Sequence, residues 1–209
     1  MIDKLYAPLF QQLKLTPEQA ASAKEMLEKK MLAAGEMGLS LMGSDLDAAK
    51  RTELAKQVKE QNDAFNAQIK EFLGSDNYQA YEAYEKTTPD RMAVSQFRDQ
   101  LGNTAAPFSA EQEQQLVQAM YDERTRFKWS TDYSNPDPNN PDFAGLFSEE
   151  RLAQFAQQKA QLDQQVLARA RQFLTPEQLA VFEKSLTAQR EMQIAGMKMA
   201  AKMFAPKSQ

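Results

Sequence analysis

The chain contains no cysteine and no histidine. The first absence excludes disulfides, thiolate nucleophiles and zinc–thiolate sites. The second removes the commonest general base, the commonest metal ligand and the side chain that titrates near neutrality. Carboxylates and lysines remain. They form no nucleophile–base pair, no glycine-rich phosphate loop and no carboxylate–histidine ligand pattern. The expectation is a protein that is not an enzyme and carries no cofactor or built metal site. Glycine is scarce, with 7 in 209 residues. No apolar run approaches the roughly 20 residues needed to span a bilayer. The opening Met1–Leu5 has no signal-peptide apolar region, so either the protein is cytoplasmic or a leader has been removed. Basic residues are interspersed with acids, which leaves no stripe for a nucleic-acid backbone.

What is present is helix-forming. The composition is rich in Gln, Ala, Glu, Lys, Leu and Met, all residues that lose little on entering a helix. The apolar fraction is 42% and the net charge −4, ordinary values for a folded chain. An all-α fold is expected.

Four marks punctuate the chain. Leu15-Thr16-Pro17-Glu18-Gln19 and Leu174-Thr175-Pro176-Glu177-Gln178 are identical, and Leu73–Asn77 and Phe108–Gln112 are weaker copies. Thr16, Ser109 and Thr175 are natural N-caps, with Pro17 and Pro176 suited to the first helical position. Gln19, Gln112 and Gln178 each stand three residues beyond the cap, where the side chain can reach back and complete a capping box.

Apolar residues at helical spacing follow these marks. A short lead-in carries Ile2, Leu5, Leu9 and Leu13, with Pro8 interrupting it. A helix after Thr16 carries Ala23, Met26, Leu27, Met31, Ala34, Met37 and Leu41. Another, capped by Ser44-Asp45, carries Leu54, Val58, Phe65, Ile69 and Phe72 and stops near Gly74. Thr88-Pro89-Asp90 opens a helix with Met92, Val94, Phe97 and Leu101 inward. In the second half, stripes pass through Leu116, Val117, Met120, Tyr121 and Phe127, then through Leu152, Phe155, Leu162, Val166, Leu167 and Ala170. Between them, residues 129–146 form a Pro/Asn/Asp-rich irregular loop. Its oxygens at Asp132, Asp137, Asn139 and Asp142 do not have the spacing of an EF-hand.

The two halves align. At an offset of 101 residues Phe72-Leu73 meets Phe173-Leu174, Tyr78 meets Leu179, Tyr81 meets Phe182 and Glu82 meets Glu183. Upstream the offset is 93, linking Leu15 to Phe108 and Gln19 to Gln112. The change in offset matches extra residues where the loop lies. The reading is one helical-hairpin unit present twice, over 1–104 and 105–209, each with long antiparallel helices and short connecting ones.

These paired marks resemble the LTxxQ motifs of the Spy/CpxP family of periplasmic envelope-stress proteins. Within each half they lie 58 and 66 residues apart, Leu15 to Leu73 and Phe108 to Leu174, a layout similar to that family's. The resemblance implies helical hairpins that assemble as cradle-shaped dimers and act without ATP as chaperones or signalling inhibitors. Two fused units would then make a pseudo-dimeric bundle or cradle within one chain, with a homodimer as a further arrangement. It also implies a periplasmic or otherwise exported location and unfolded or partner proteins as ligands.

The residues expected to contact such clients lie on the last helix. Met192, Met197, Met199, Met203 and Phe204 crowd it beside Lys198 and Lys202. Met192, Gly196, Met199 and Met203 form one stripe; Ile194, Met197, Ala201 and Phe204 form another. Flexible, polarisable Met surfaces accommodate varied apolar ligands. The same residues leave open core packing, a membrane-surface contact, or a dedicated interaction or copper-sensing module in which Met197, Met199 and Met203 offer thioethers to Cu(I). Carboxylate pairs at Glu111/Glu113, Asp122/Glu123 and Glu149/Glu150 read as solvated helix faces.

Overall fold

The computed structural model describes residues 2–41, 48–102, 107–130 and 148–204. Among these the chain is all-α, with seven helices and no strand. They are α1 (Ile2–Gln12), α2 (Pro17–Leu41), α3 (Ala48–Lys86), α4 (Thr88–Leu101), α5 (Ala110–Arg126), α6 (Glu149–Ala170) and α7 (Pro176–Phe204). The Ser44-Asp45 cap and most of the 129–146 loop, including its Asp and Asn oxygens, lie outside the described residues.

The chain divides into two compact units, Met1–Thr88 and Pro89–Gln209. This boundary falls ahead of the expected one at 104. The reason is α4: its Val94 and Phe97 pack with the core of the second unit, and Phe97 meets Phe182 edge-on at 4.7 Å between ring centroids.

In the first unit α1 packs on α2 and α2 on α3. Ile2, Leu5, Tyr6 and Leu9 close over Leu27, Ile69, Tyr81 and Tyr84. Pro8 is exposed and α1 runs through it, a correction to the expected interruption. What ends α1 is Lys14, at φ 51. The N–H of Lys14 donates to Gln11 O (3.0 Å) and that of Leu15 to Phe10 O (3.1 Å), the bond pair of a Schellman cap. The expected stop at Gly74 is a kink inside α3: at φ 75, ψ 165 it breaks the helical run, a conformation a side chain would resist.

Beyond Leu27, α2 changes character. Met31, Leu32 and Ala34 are exposed although the periodicity places Met31 and Ala34 on the apolar face. Leu54, Val58 and Phe65 on α3 are only half-buried. Two helices alone cannot cover one another's apolar arcs, so this stretch keeps apolar surface in water.

In the second unit α5 packs on α6 and α6 on α7, with α4 joining through its buried face. Val94, Phe97, Leu116, Leu162, Val166, Leu167, Ala170, Phe182 and Leu186 form the core. Met92 does not point inward: it is exposed, and Asp90 is buried in its place. Asp90, Val94, Phe97 and Leu101 lie four, three and four apart, on one helix face, whereas Met92 sits two residues off that row.

At the offset of 101 residues burial agrees at some positions and differs at others: Phe65 and Leu73 are half-buried where Val166 and Leu174 are buried. Tyr81 and Phe182 are both buried, Tyr78 and Leu179 both half-buried, Lys70 and Arg171 both exposed, and Glu82 and Glu183 both exposed.

Candidate functional site

The helix-cap residues form the bonds their spacing requires. The N–H of Gln19 donates to Thr16 Oγ1 (3.2 Å), while the N–H of Thr16 donates to Gln19 Oε1 (2.9 Å). The same reciprocal box joins Ser109 with Gln112 (3.1 and 2.9 Å) and Thr175 with Gln178 (3.2 and 3.0 Å).

In the second unit the boxes are joined to each other. Gln112 Nε2 donates to Gln178 Oε1 (2.9 Å) and to the carbonyl of Phe173 (2.9 Å). Gln178 Nε2 donates to Gln112 Oε1 (3.2 Å) and to the carbonyl of Pro107 (3.0 Å). Each amide thus holds the other amide and the backbone two residues ahead of the other cap, a two-fold arrangement. Gln178 is 3% exposed, so its bonds are made away from water. The Thr16 box of the first unit lies in the open, with Thr16 and Gln19 both exposed.

On α7 the methionine stripes separate as the spacing implies. Met192 and Met199 are 75% and 67% exposed. Ala195 and Gly196 beside them are also exposed, and a Cβ on Gly196 would meet nothing within 4 Å. Ile194 and Met197, on the other stripe, are half-buried, and Lys198 is exposed. Lys202, Met203 and Phe204 belong to the last turn of α7, but their side chains lie outside the described residues. Met197 and Met199 are two apart on a helix and diverge by about 200°, so these two thioethers do not converge on one ion. No cluster of three carboxylates suited to a metal occurs among the described residues.

Of the carboxylate pairs, Glu149/Glu150 is exposed, whereas Asp122/Glu123 is half-buried and acts as a clamp. Arg169 on α6 donates through Nη1 to Asp122 Oδ2 (2.9 Å) and Glu123 Oε1 (3.3 Å) on α5. That bond holds the Asp122 carboxyl below the usual carboxylate range and the Arg169 guanidinium above its own. Glu113 meets Arg98 at 3.4 Å. In the first unit Lys30 Nζ donates to Tyr81 Oη (2.9 Å), Glu85 Oε2 (3.0 Å) and Asn66 Oδ1 (3.2 Å), and Tyr6 Oη donates to Glu85. Burial, followed by the nearby Glu85 carboxylate, pushes the Tyr6 and Tyr81 hydroxyls well above the ordinary tyrosine range.

Sequence reasoning missed a cavity of about 570 Å³ in the second unit. Its apolar wall is Met120, Trp129, Phe155, Leu162, Val166 and Leu186. Trp129 is the chain's one tryptophan. It stacks on Phe155 at 5.4 Å and meets Phe127 edge-on at 4.9 Å. The polar side holds Asp90, Arg124, Lys159, Asp163 and Gln193. Arg124 forks onto Asp90, Nε to Oδ1 at 3.2 Å and Nη2 to Oδ2 at 2.7 Å. Asp163, 2% exposed, takes two cations: Lys159 on one oxygen and Arg190 Nη1 on the other at 2.6 Å.

The signal for Asp163 was in the chain. It falls on the face of Leu162 and Val166, and a carboxylate inside an apolar stripe requires a buried cation partner. Lys159, one turn earlier, supplies part of that requirement.

No helix among the described residues is long and apolar enough to cross a membrane. No family model, curated protein or solved structure matches the chain.

Proposed function

We propose that this protein is a non-enzymatic binding protein, a Spy-like, ATP-independent chaperone or stress-response protein that holds apolar segments of unfolded clients in the periplasm. The observation that carries the reading is the outward stripe on α7, where Met192 and Met199 are mostly in water. A long thioether side chain exposed to solvent gains by covering itself with whatever apolar surface is available, and its flexibility tolerates many shapes. Exposed Met31 and Leu32 on α2 add a second patch of the same chemistry. The paired capping boxes of Ser109–Gln112 and Thr175–Gln178 support kinship with proteins built on paired LTxxQ motifs, since the two motifs here are physically coupled.

The test is suppression of aggregation. Purified full-length chain, at near-stoichiometric ratio and without nucleotide, should delay aggregation of several unrelated substrates. Met192→Gln with Met199→Gln should weaken that delay while leaving the helical signal intact. If no substrate is protected, or the double variant protects equally well, the reading fails.

A further inference from the structure

We propose that the cavity of the second unit is a ligand site for small amphipathic carboxylates, with the apolar body against Trp129 and Phe155 and the carboxylate beside Lys159. This goes beyond client binding, which uses a different surface. The volume, about 570 Å³, lies within the roughly 300–1,000 Å³ range of small-molecule sites. Its lining has the composition such sites have: an apolar wall with a few convergent charged groups.

The charge selects the sign of the ligand. Among the described residues the lining carboxylates Asp90 and Asp163 are matched by the lining cations Arg124 and Lys159, and Arg190, outside the lining, is a second cation on Asp163, which leaves that cluster one positive charge in excess. A lysine ammonium carries three N–H donors, so Lys159, at the lining, retains capacity to bond an incoming anion. Lys159 and Arg190 are also largely withdrawn from solvent, with side chains 21% and 22% exposed. A monoanion completes their neutralisation where water does so poorly. A cationic headgroup would meet net repulsion, and a neutral one would forgo the charge-assisted bond.

Trp129 is a built-in reporter. The full chain should be titrated with dodecanoate, dodecanol and dodecyltrimethylammonium, all below self-association, while its fluorescence is followed. Dodecanoate should give a saturable change at one equivalent, and a brominated dodecanoate should quench Trp129. Dodecanol should bind more weakly by roughly tenfold to a hundredfold, the value of a charge-assisted hydrogen bond, and the trimethylammonium more weakly still.

Lys159→Met should lose a similar factor for dodecanoate and little for dodecanol. Lys159→Arg should restore binding, and Lys184→Met, at an exposed site of α7, should change nothing. The Met192→Gln/Met199→Gln variant should bind dodecanoate as the parent does, which separates this site from the client surface. The proposal is overturned by the absence of a saturable, quenchable response. Equal affinity for the three headgroups, or an unchanged affinity in Lys159→Met, would overturn it too.

Discussion

Replacing Gln178 by alanine removes one side chain but breaks a junction. Its Oε1 accepts from the Thr175 N–H (3.0 Å) and from Gln112 Nε2 (2.9 Å); its Nε2 donates to the Pro107 carbonyl (3.0 Å) and to Gln112 Oε1 (3.2 Å). A net hydrogen bond contributes about 0.5–1.5 kcal/mol, and a buried group left unpaired costs about 1–3 kcal/mol. Thr175 is exposed, as is Pro107, so water can replace the bonds to their backbone groups. Gln112 is half-buried and less easily rescued. The expected cost is therefore about 2–3 kcal/mol rather than the full sum.

Denaturation followed by Trp129 fluorescence measures the second unit alone, because the chain has no other tryptophan. The comparison is Ser148→Ala in the same unit, where an exposed Oγ accepts from the Arg151 N–H at 3.4 Å. That loss should cost about 0.5–1 kcal/mol, the value of an ordinary cap. A double-mutant cycle of Gln112→Ala and Gln178→Ala should give a coupling of about 1–2 kcal/mol. Equal costs for Gln178→Ala and Ser148→Ala, or strict additivity of the two glutamines, would refute the coupled-box reasoning.

Further outcomes follow from the same geometry. Asp163→Ala leaves Lys159 and Arg190 without their shared carboxylate and should destabilise the second unit by about 3–5 kcal/mol, read by the same fluorescence. Lys14→Gly relieves a side chain at φ 51 and should stabilise the first unit by about 0.5–1 kcal/mol, read by hydrogen exchange of α1. The raised hydroxyls of Tyr6 and Tyr81 mean that folding favours the neutral phenol. Their contribution is full below the unfolded value of about 10 and is lost as pH rises above it, so alkaline melts should soften the first unit as tyrosinate absorbance grows. Asp122 has the opposite sign: its lowered value contributes stability above about pH 3.9 that is lost as pH falls further. Asp122→Asn should flatten that acid limb.

The helices and their starts were legible because capping is local. Thr16, Ser109 and Thr175 need only a glutamine three residues on, and all three boxes form. The coupling of Gln112 to Gln178 was not legible, since it depends on α5 and α7 starting side by side. The cavity was hidden for a related reason. Asp90, Arg124 and Asp163 are far apart in the chain, and their gathering around one space depends on how the helices pack. Asp163 and Asp90 could have been found by asking which charged residues share a row with Val94 and Phe97 or with Leu162 and Val166. Met92 is apolar and near the helix start but two residues off that row, which is why it faces water. The exposure of Met192 and Met199 lies between these cases. The stripe can be read from spacing, but which stripe faces water is decided by what the rest of α7 packs against.

The most direct measurement of the central claim is site-specific photocrosslinking to a client. A photoreactive phenylalanine analogue at Met199 of α7, on the exposed stripe, is compared with the same analogue at Gln165 on the exposed polar face of α6. An aggregation-prone client is added before illumination. The binding reading predicts crosslinks to client from position 199, lost on competition by a second unfolded client, and little from position 165. Equal crosslinking from both positions, or none from position 199 under conditions where aggregation is suppressed, would contradict it.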